Sequence, residues 1–143
     1  MFKKISLITA AAMLSVMFTG CASTAKGPVF QPEKNTDSNM GVIYVSREKA
    51  LVGAMMSANI DVNGKKAAEL DQGGYLAIIA PQGMHSIRVY AGLYNKTFKV
   101  NVKKKGLYLL RMEGMDVRVV DPDKEEFRKE LAGKFLQKRI TIP

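Results

Sequence analysis

The chain is poor in the residues that most chemistry requires. It has one cysteine, one histidine and no tryptophan among 143 residues. A metal centre of thiolates and imidazoles needs several such side chains together, so no metal and no cofactor is expected. A Ser-His-Asp arrangement has only His85 to turn on. A lone cysteine forms no internal disulfide, so a folded domain here must be held by packing. Acidic residues are scarce as well: 13 against 22 basic ones, a net charge of +9. No apolar stretch reaches the roughly 20 residues a helix needs to cross a bilayer. The longest, residues 5–18, falls short.

That run nevertheless has a shape. Lys3 and Lys4 precede it and the small residues Thr19 and Gly20 follow it, the three-part pattern of an export signal. It closes on Cys21, as Phe18-Thr19-Gly20-Cys21-Ala22. Small residues before a lone cysteine resemble the lipobox of bacterial lipoproteins, with Phe18 standing where leucine is usual. The resemblance implies cleavage between Gly20 and Cys21, a diacylglyceryl group on the Cys21 thiol, and a further acyl chain such as palmitate on the new amine. Each buried CH₂ contributes about 0.8 kcal/mol and stable anchoring takes more than one chain, so such a protein stays on its membrane. Ala22 rather than aspartate after the cysteine implies the outer membrane, facing the periplasm. The competing readings are a permanent transmembrane helix, for which the run is short, and an ordinary thiol in a signal cut elsewhere.

Removing residues 1–20 leaves 123 of the 143 residues and, without Lys3 and Lys4, +7 of the +9. That suits one domain. A positive field favours anionic neighbours, which at a cell envelope are headgroups, lipopolysaccharide phosphates or acidic glycans; export takes the chain away from nucleic acid. Residues 22–39 hold Ser, Thr, Lys, Gly, Asn, Pro28 and Pro32, with Val29 and Phe30 the only sizeable apolar groups. Such a segment buries too little to offset its entropy. The organisation expected is a signal over 1–20, an acylated cysteine and flexible tether over 21–39, and one domain over 40–143. As a coil the tether would span roughly 20–25 Å, standing the domain off the bilayer.

From Met40 onward, short apolar runs alternate with turn residues, which predicts an all-β domain. Residues 41–45 are β-branched and aromatic and open it. Residues 58–62 alternate, and Asn63-Gly64 is the strongest hairpin signal, since a type I′ turn needs positive φ at both central positions. Residues 65–70 are polar and suit an edge, where lysines discourage stray pairing. Residues 75–80 are continuously apolar and read as a central strand. In residues 84–91, His85, Ile87 and Val89 share one face. Over 96–105, Phe98, Val100 and Val102 point inward and Thr97, Lys99, Asn101 and Lys103 outward; 107–112 and 116–120 are further strands. Then the period changes. Asp121 caps, Pro122 takes the first helical position, and Phe127, Leu131 and Phe135 form one stripe, predicting an amphipathic helix over 123–138 with Gly133 its weak point. The fold class is mainly β: a small antiparallel β-sandwich of about seven to eight strands with one C-terminal amphipathic helix.

The string Gly41-Val42-Ile43-Tyr44-Val45-Ser46-Arg47, then Gly53, then Asn59-Ile60-Asp61-Val62-Asn63-Gly64-Lys65-Lys66, Leu70, Gly74-Tyr75 and Pro81-Gln82-Gly83-Met84-His85 resembles a family of bacterial lipoprotein domains catalogued as domain of unknown function 2846. The resemblance covers roughly residues 40–136, with Gln82-Gly83 where Pro-Gly is commoner. It implies an envelope address and a small β-sandwich, and it brings no reaction.

Three sets of residues are candidates for function. Lys96, Lys99, Lys103, Lys104 and Lys105, with Arg88 and Arg118 on neighbouring strands, could grip phosphate or acidic sugar, or could be a solvated face. The run Leu51-Val52-Gly53-Ala54-Met55-Met56 carries adaptable methionines suited to a partner protein, or folds over an open end as core. His85 could serve a hydrolase with a nearby serine; sharing a face with Ile87 and Val89, it reads instead as a buried imidazole bonded to backbone. The expected function is a non-enzymatic binding or accessory module for another envelope protein. The alternatives are a direct binder of lipopolysaccharide or acidic glycan through the lysine strand, and a hydrolase centred on His85.

Overall fold

The computed structural model describes residues 25–34, 38–49, 56–113, 116–120 and 124–143. The domain is mainly β, with nine strands in two facing sheets and one short helix. In chain order the strands are β1 (Met40–Arg47), β2 (Ala58–Val62), β3 (Lys65–Leu70), β4 (Gly74–Pro81), β5 (Gly83–Ala91), β6 (Tyr94–Val102), β7 (Leu107–Glu113), β8 (Asp116–Val120) and, after helix α1 (Lys124–Leu131), β9 (Phe135–Thr141). One sheet runs β8-β7-β1-β4-β9 and the other β3-β2-β5-β6.

Local chemistry explains the smaller sheet. Asn63 and Gly64 take φ of 51° and 81°, so the β2–β3 hairpin turns as its sequence predicts. Alternation in β5 sends Ile87 and Val89 into the space between the sheets, where they meet Ile60, Leu76, Ile78 and Leu110. The larger sheet differs from the antiparallel expectation. β1 pairs parallel with β7, and β4 pairs parallel with β9. Parallel neighbours need a crossover connection, and all four strands of the second sheet, with β4, lie in the chain between β1 and its parallel partner β7.

The helix ends earlier than its stripe predicts. It stops at Leu131; Gly133 sits at φ of 75°, and the Lys134 amide donates to the Leu131 carbonyl at 3.0 Å. A glycine in the left-handed region just past the last turn is a helix terminator. Phe135 therefore starts β9 opposite Gly74 rather than continuing the helix.

The larger sheet is covered on both faces. On the side away from the second sheet, Val42, Tyr44, Tyr75, Ala77 and Leu109 pack under Phe127 and Leu131 of α1. Phe30 joins them, edge-on to Tyr75 at 5.3 Å and to Tyr44 at 5.7 Å. This corrects the expectation of a free tether over 21–39, as far as its described part goes. Residues 25–34 are a strap laid on the domain: Ala25 donates its amide to the Gln72 carbonyl, Phe30 to Lys134, and Glu33 pairs with Arg139 at 2.9 Å. Gly27 passes so close to the Leu136 carbonyl that a side chain would collide with it. One apolar residue, Phe30, suffices among polar ones and an exposed Val29, because the sheet offers it an aromatic pocket that no local pattern reveals.

Candidate functional site

All strand ends fall at one of two poles. At the first lie the end of β1, the β3–β4 turn, the β5–β6 turn at Gly92-Leu93, the β7–β8 turn and the start of β9. At the second lie the Asn63-Gly64 hairpin, the β4–β5 turn and the β6–β7 turn carrying Lys103, Lys104 and Lys105. The lysine turn and the strap's entry point at Ala25 are thus at opposite poles.

His85 belongs to the second pole and is 7% exposed. Its Nε2 lies 2.8 Å from the Pro81 carbonyl, which can only accept, so Nε2 carries the proton. Its Nδ1 then accepts from the Asn63 side-chain amide at 3.0 Å, and the Asn63 oxygen in turn accepts from the Ser86 amide at 2.9 Å. Both ring nitrogens are committed to tying the hairpin to the β4–β5 turn, which leaves neither to activate a serine.

The lysines do not form one surface. Lys96 shares the inward face of β6 with Phe98 and lies 5.3 Å over that ring, whereas Lys99 points to the other face. All five lysines are exposed, and among the described residues none is in an ion pair. Arg88 sits on the outer face of β5, already engaged with Asp61 at 3.4 Å, Asn95 at 2.9 Å and the Tyr90 ring. Arg118 is in the other sheet, across from Arg111. Arg88 thus lies on the strand beside β6, as expected, whereas Arg118 does not join the lysines because β8 belongs to the other sheet.

Beside the lysines runs a groove. β6 is the last strand of its sheet, and the short β8 leaves the start of β7 without a neighbour on that side. The gap holds about 310 Å³ and is lined by Phe98, Val100, Tyr108, Leu110 and Val119. Val119 is exposed, and Lys99 stands on the rim. A larger groove of about 600 Å³ separates β3 from β9, and three of its four cations are taken: Lys66 by Glu69, Lys138 by the Ala67 carbonyl, Arg139 by Glu33, with Lys65 exposed on the hairpin side.

Of the expected partner run, Leu51, Val52 and Met55 lie outside the described residues, as do Gly20 and Cys21. Met56 is described: it is half-exposed at the first pole, its Cε against the Gly92 turn, next to a fully exposed Leu93.

Two polar clusters at the first pole are not legible in the sequence. On the helix side, the Lys134 ammonium, 7% exposed, lies 2.6 Å from Glu48 and 3.0 Å from Glu130, with Arg111 3.0 Å from Glu130. Burial opposes ionisation of Glu48, but hydrogen bonds with Glu130 and Lys134 hold it below its ordinary value; burial and that same contact push Glu130 up. On the inner side, Arg47 donates to the Leu70 carbonyl at 2.8 Å while Asp71 accepts from Ser57 and Gln137. Both clusters join residues far apart in the chain, up to 86 positions, which periodicity cannot signal. They pin α1 and β9 in place.

No family model matches the chain, and no curated protein matches it. What fold and surface define is a small two-sheet β domain, helix-covered on one face, with the edge of β6 beside an apolar groove and, among the described residues, lysines outside any ion pair.

Proposed function

We propose that this chain is a lipid-anchored envelope lipoprotein, held through Cys21 at the outer membrane and facing the periplasm, that serves as a non-enzymatic accessory module binding another envelope protein. The address rests on the signal and lipobox pattern and on the likeness to the lipoprotein domain family. The binding role rests on one observation: the free edge of β6 lies beside an apolar groove and carries cations without acidic partners.

An edge strand offers unpaired amides and carbonyls to an incoming strand, and alternate side chains then enter adjoining pockets. Lys96 and Lys99 on that edge repel a second copy of this chain and attract a segment whose charges are acidic. The partner that fits is an extended segment alternating apolar and acidic residues. A photo-crosslinker at Thr97 or Asn101, exposed on β6, tests this in intact cells. One dominant protein adduct is expected, lost with Cys21→Ser and weakened by Lys99→Glu. No protein adduct from either position ends the reading.

The turn at 103–105 supports a second reading, contact with an anionic polymer. It expects co-sedimentation with sacculi or lipopolysaccharide that falls steeply with salt and fails in a Lys103/Lys104/Lys105→Gln variant. Binding indifferent to salt rejects it.

A further inference from the structure

The strap changes the arithmetic of the anchor. Ala25 is buried and its amide is bonded to the Gln72 carbonyl at 3.2 Å, so at most the four steps from Cys21 to Ala25 are free. Fully extended, they reach about 14 Å. The β3–β4 turn, which holds Ala25, is at the first pole, and Leu93 is at the same pole on the tip of the β5–β6 turn. No other large apolar side chain of the described residues is as exposed as Leu93. Met56, half-exposed, touches the same turn.

We propose, building on the anchor reading above, that the first pole is a membrane-docking surface: the domain stands on its own bilayer with Leu93 and Met56 at the headgroup–acyl boundary. A short tether holds that pole at high effective concentration beside the lipid, so weak apolar contact suffices. A fully exposed leucine at the tip of a turn, with Met56 against the same turn, matches an interface that is wet above and apolar below. The formal charges here are mixed. Lys26 and Lys49 are exposed at this pole, and so are Glu113 and Asp116 at the β7–β8 turn. Headgroup charge therefore does not drive the contact, and salt leaves it unchanged.

The cysteine count supplies the test. Once Cys21 is acylated the mature chain has no free thiol, so a bimane label goes only where a new cysteine is placed. The full lipidated protein is labelled as Leu93→Cys or, at the second pole, Lys104→Cys, and reconstituted in phosphatidylethanolamine–phosphatidylglycerol vesicles with brominated acyl chains. Quenching severalfold greater at 93 than at 104, the same at low and high salt, is the expected result. Equal quenching at the two positions, with the chain firmly on the vesicles, overturns the docking while leaving the anchor intact. A wild-type chain that takes the label at Cys21 and stays in solution overturns the anchor and the docking with it. In cells, a photo-crosslinker at 93 should capture lipid; capture of protein instead assigns this pole to another occupant and overturns the proposal.

Discussion

Replacing Phe30 by alanine decides whether the chain before the first strand belongs to the domain. The ring meets Tyr75 at 5.3 Å, Tyr44 at 5.7 Å and Phe127 at 6.4 Å, each edge-on. Removing a fully buried phenylalanine costs about 3–5 kcal/mol. Phe30 is only half-buried, so about 2–3 kcal/mol is the fitting value. A substitution on a free tether would stay within about 0.5 kcal/mol. The assay is urea unfolding of residues 22–143 made without lipid, where a slope of about 1–3 kcal/mol per molar turns that loss into a midpoint roughly 1 M lower. Gln31→Ala, exposed and adjacent, is the control and should not move it. Gly27→Val should match Phe30→Ala, because its side chain would drive the strap off the Leu136 carbonyl. A midpoint for Phe30→Ala no different from the control would refute the strap, and with it the short reach from Cys21.

Three further outcomes are expected. His85→Ala removes hydrogen bonds to the exposed Asn63 amide and the half-buried Pro81 carbonyl, so stability should fall by about 0.5–1.5 kcal/mol for each; a catalytic histidine would instead lose turnover at unchanged stability. In alkali, burial pushes the Tyr44 phenol up to about 12 and also raises Tyr75 and Tyr94. Their folded values lie above the unfolded one, so this stability is complete below about pH 10 and is lost as pH rises toward 12; spectroscopic titration showing all tyrosines ionising together near 10 would contradict it. Lys134→Met leaves Glu48 and Glu130 facing each other with Arg111 as their one remaining shared cation among the described residues. It should cost about 3 kcal/mol, with part recovered by adding Glu130→Gln; a neutral single variant, measured by the same urea assay, would show the cluster to be inert.

What could be read from the sequence is what local geometry dictates. Asn63-Gly64 had to turn, residues 75–80 had to be buried on both faces, and the polar strand 65–70 had to lie at an edge; β4 does lie between β1 and β9, and β3 is an edge. What could not be read is pairing at a distance. Phe135 falls on the helical stripe of Phe127 and Leu131 by coincidence of spacing, and only the preference of Gly133 for positive φ separates the two elements. The strap is the same kind of failure. Its composition says tether, and its fate is set by a pocket whose walls, Tyr44, Tyr75 and Phe127, come from three distant elements. Among candidate functional residues, the alternation of β6 placed Phe98 and Lys99 on opposite faces correctly, but nothing local could say that Arg118 joins the other sheet.

The two poles also constrain what the lysines can be for. Strands of seven to nine residues separate Lys103, Lys104 and Lys105 from the pole where Ala25 enters. At about 3.3 Å per residue that is roughly 25 Å, some three Debye lengths at physiological ionic strength. A bilayer under the first pole therefore exerts almost no pull on the turn. If the protein's own membrane were the anionic target, the short strap would hold the cations on the wrong side of the domain. On the proposed anchor the lysine turn would instead face away from the bilayer, and that separates its two uses. A polymer partner needs only the charges and would tolerate a disrupted groove, whereas a protein strand on β6 needs the groove and the edge. Val119→Asp, which places an acid in the groove without touching a lysine, should abolish the protein adduct and leave polymer co-sedimentation intact. The opposite pattern would exchange the roles assigned to the two surfaces.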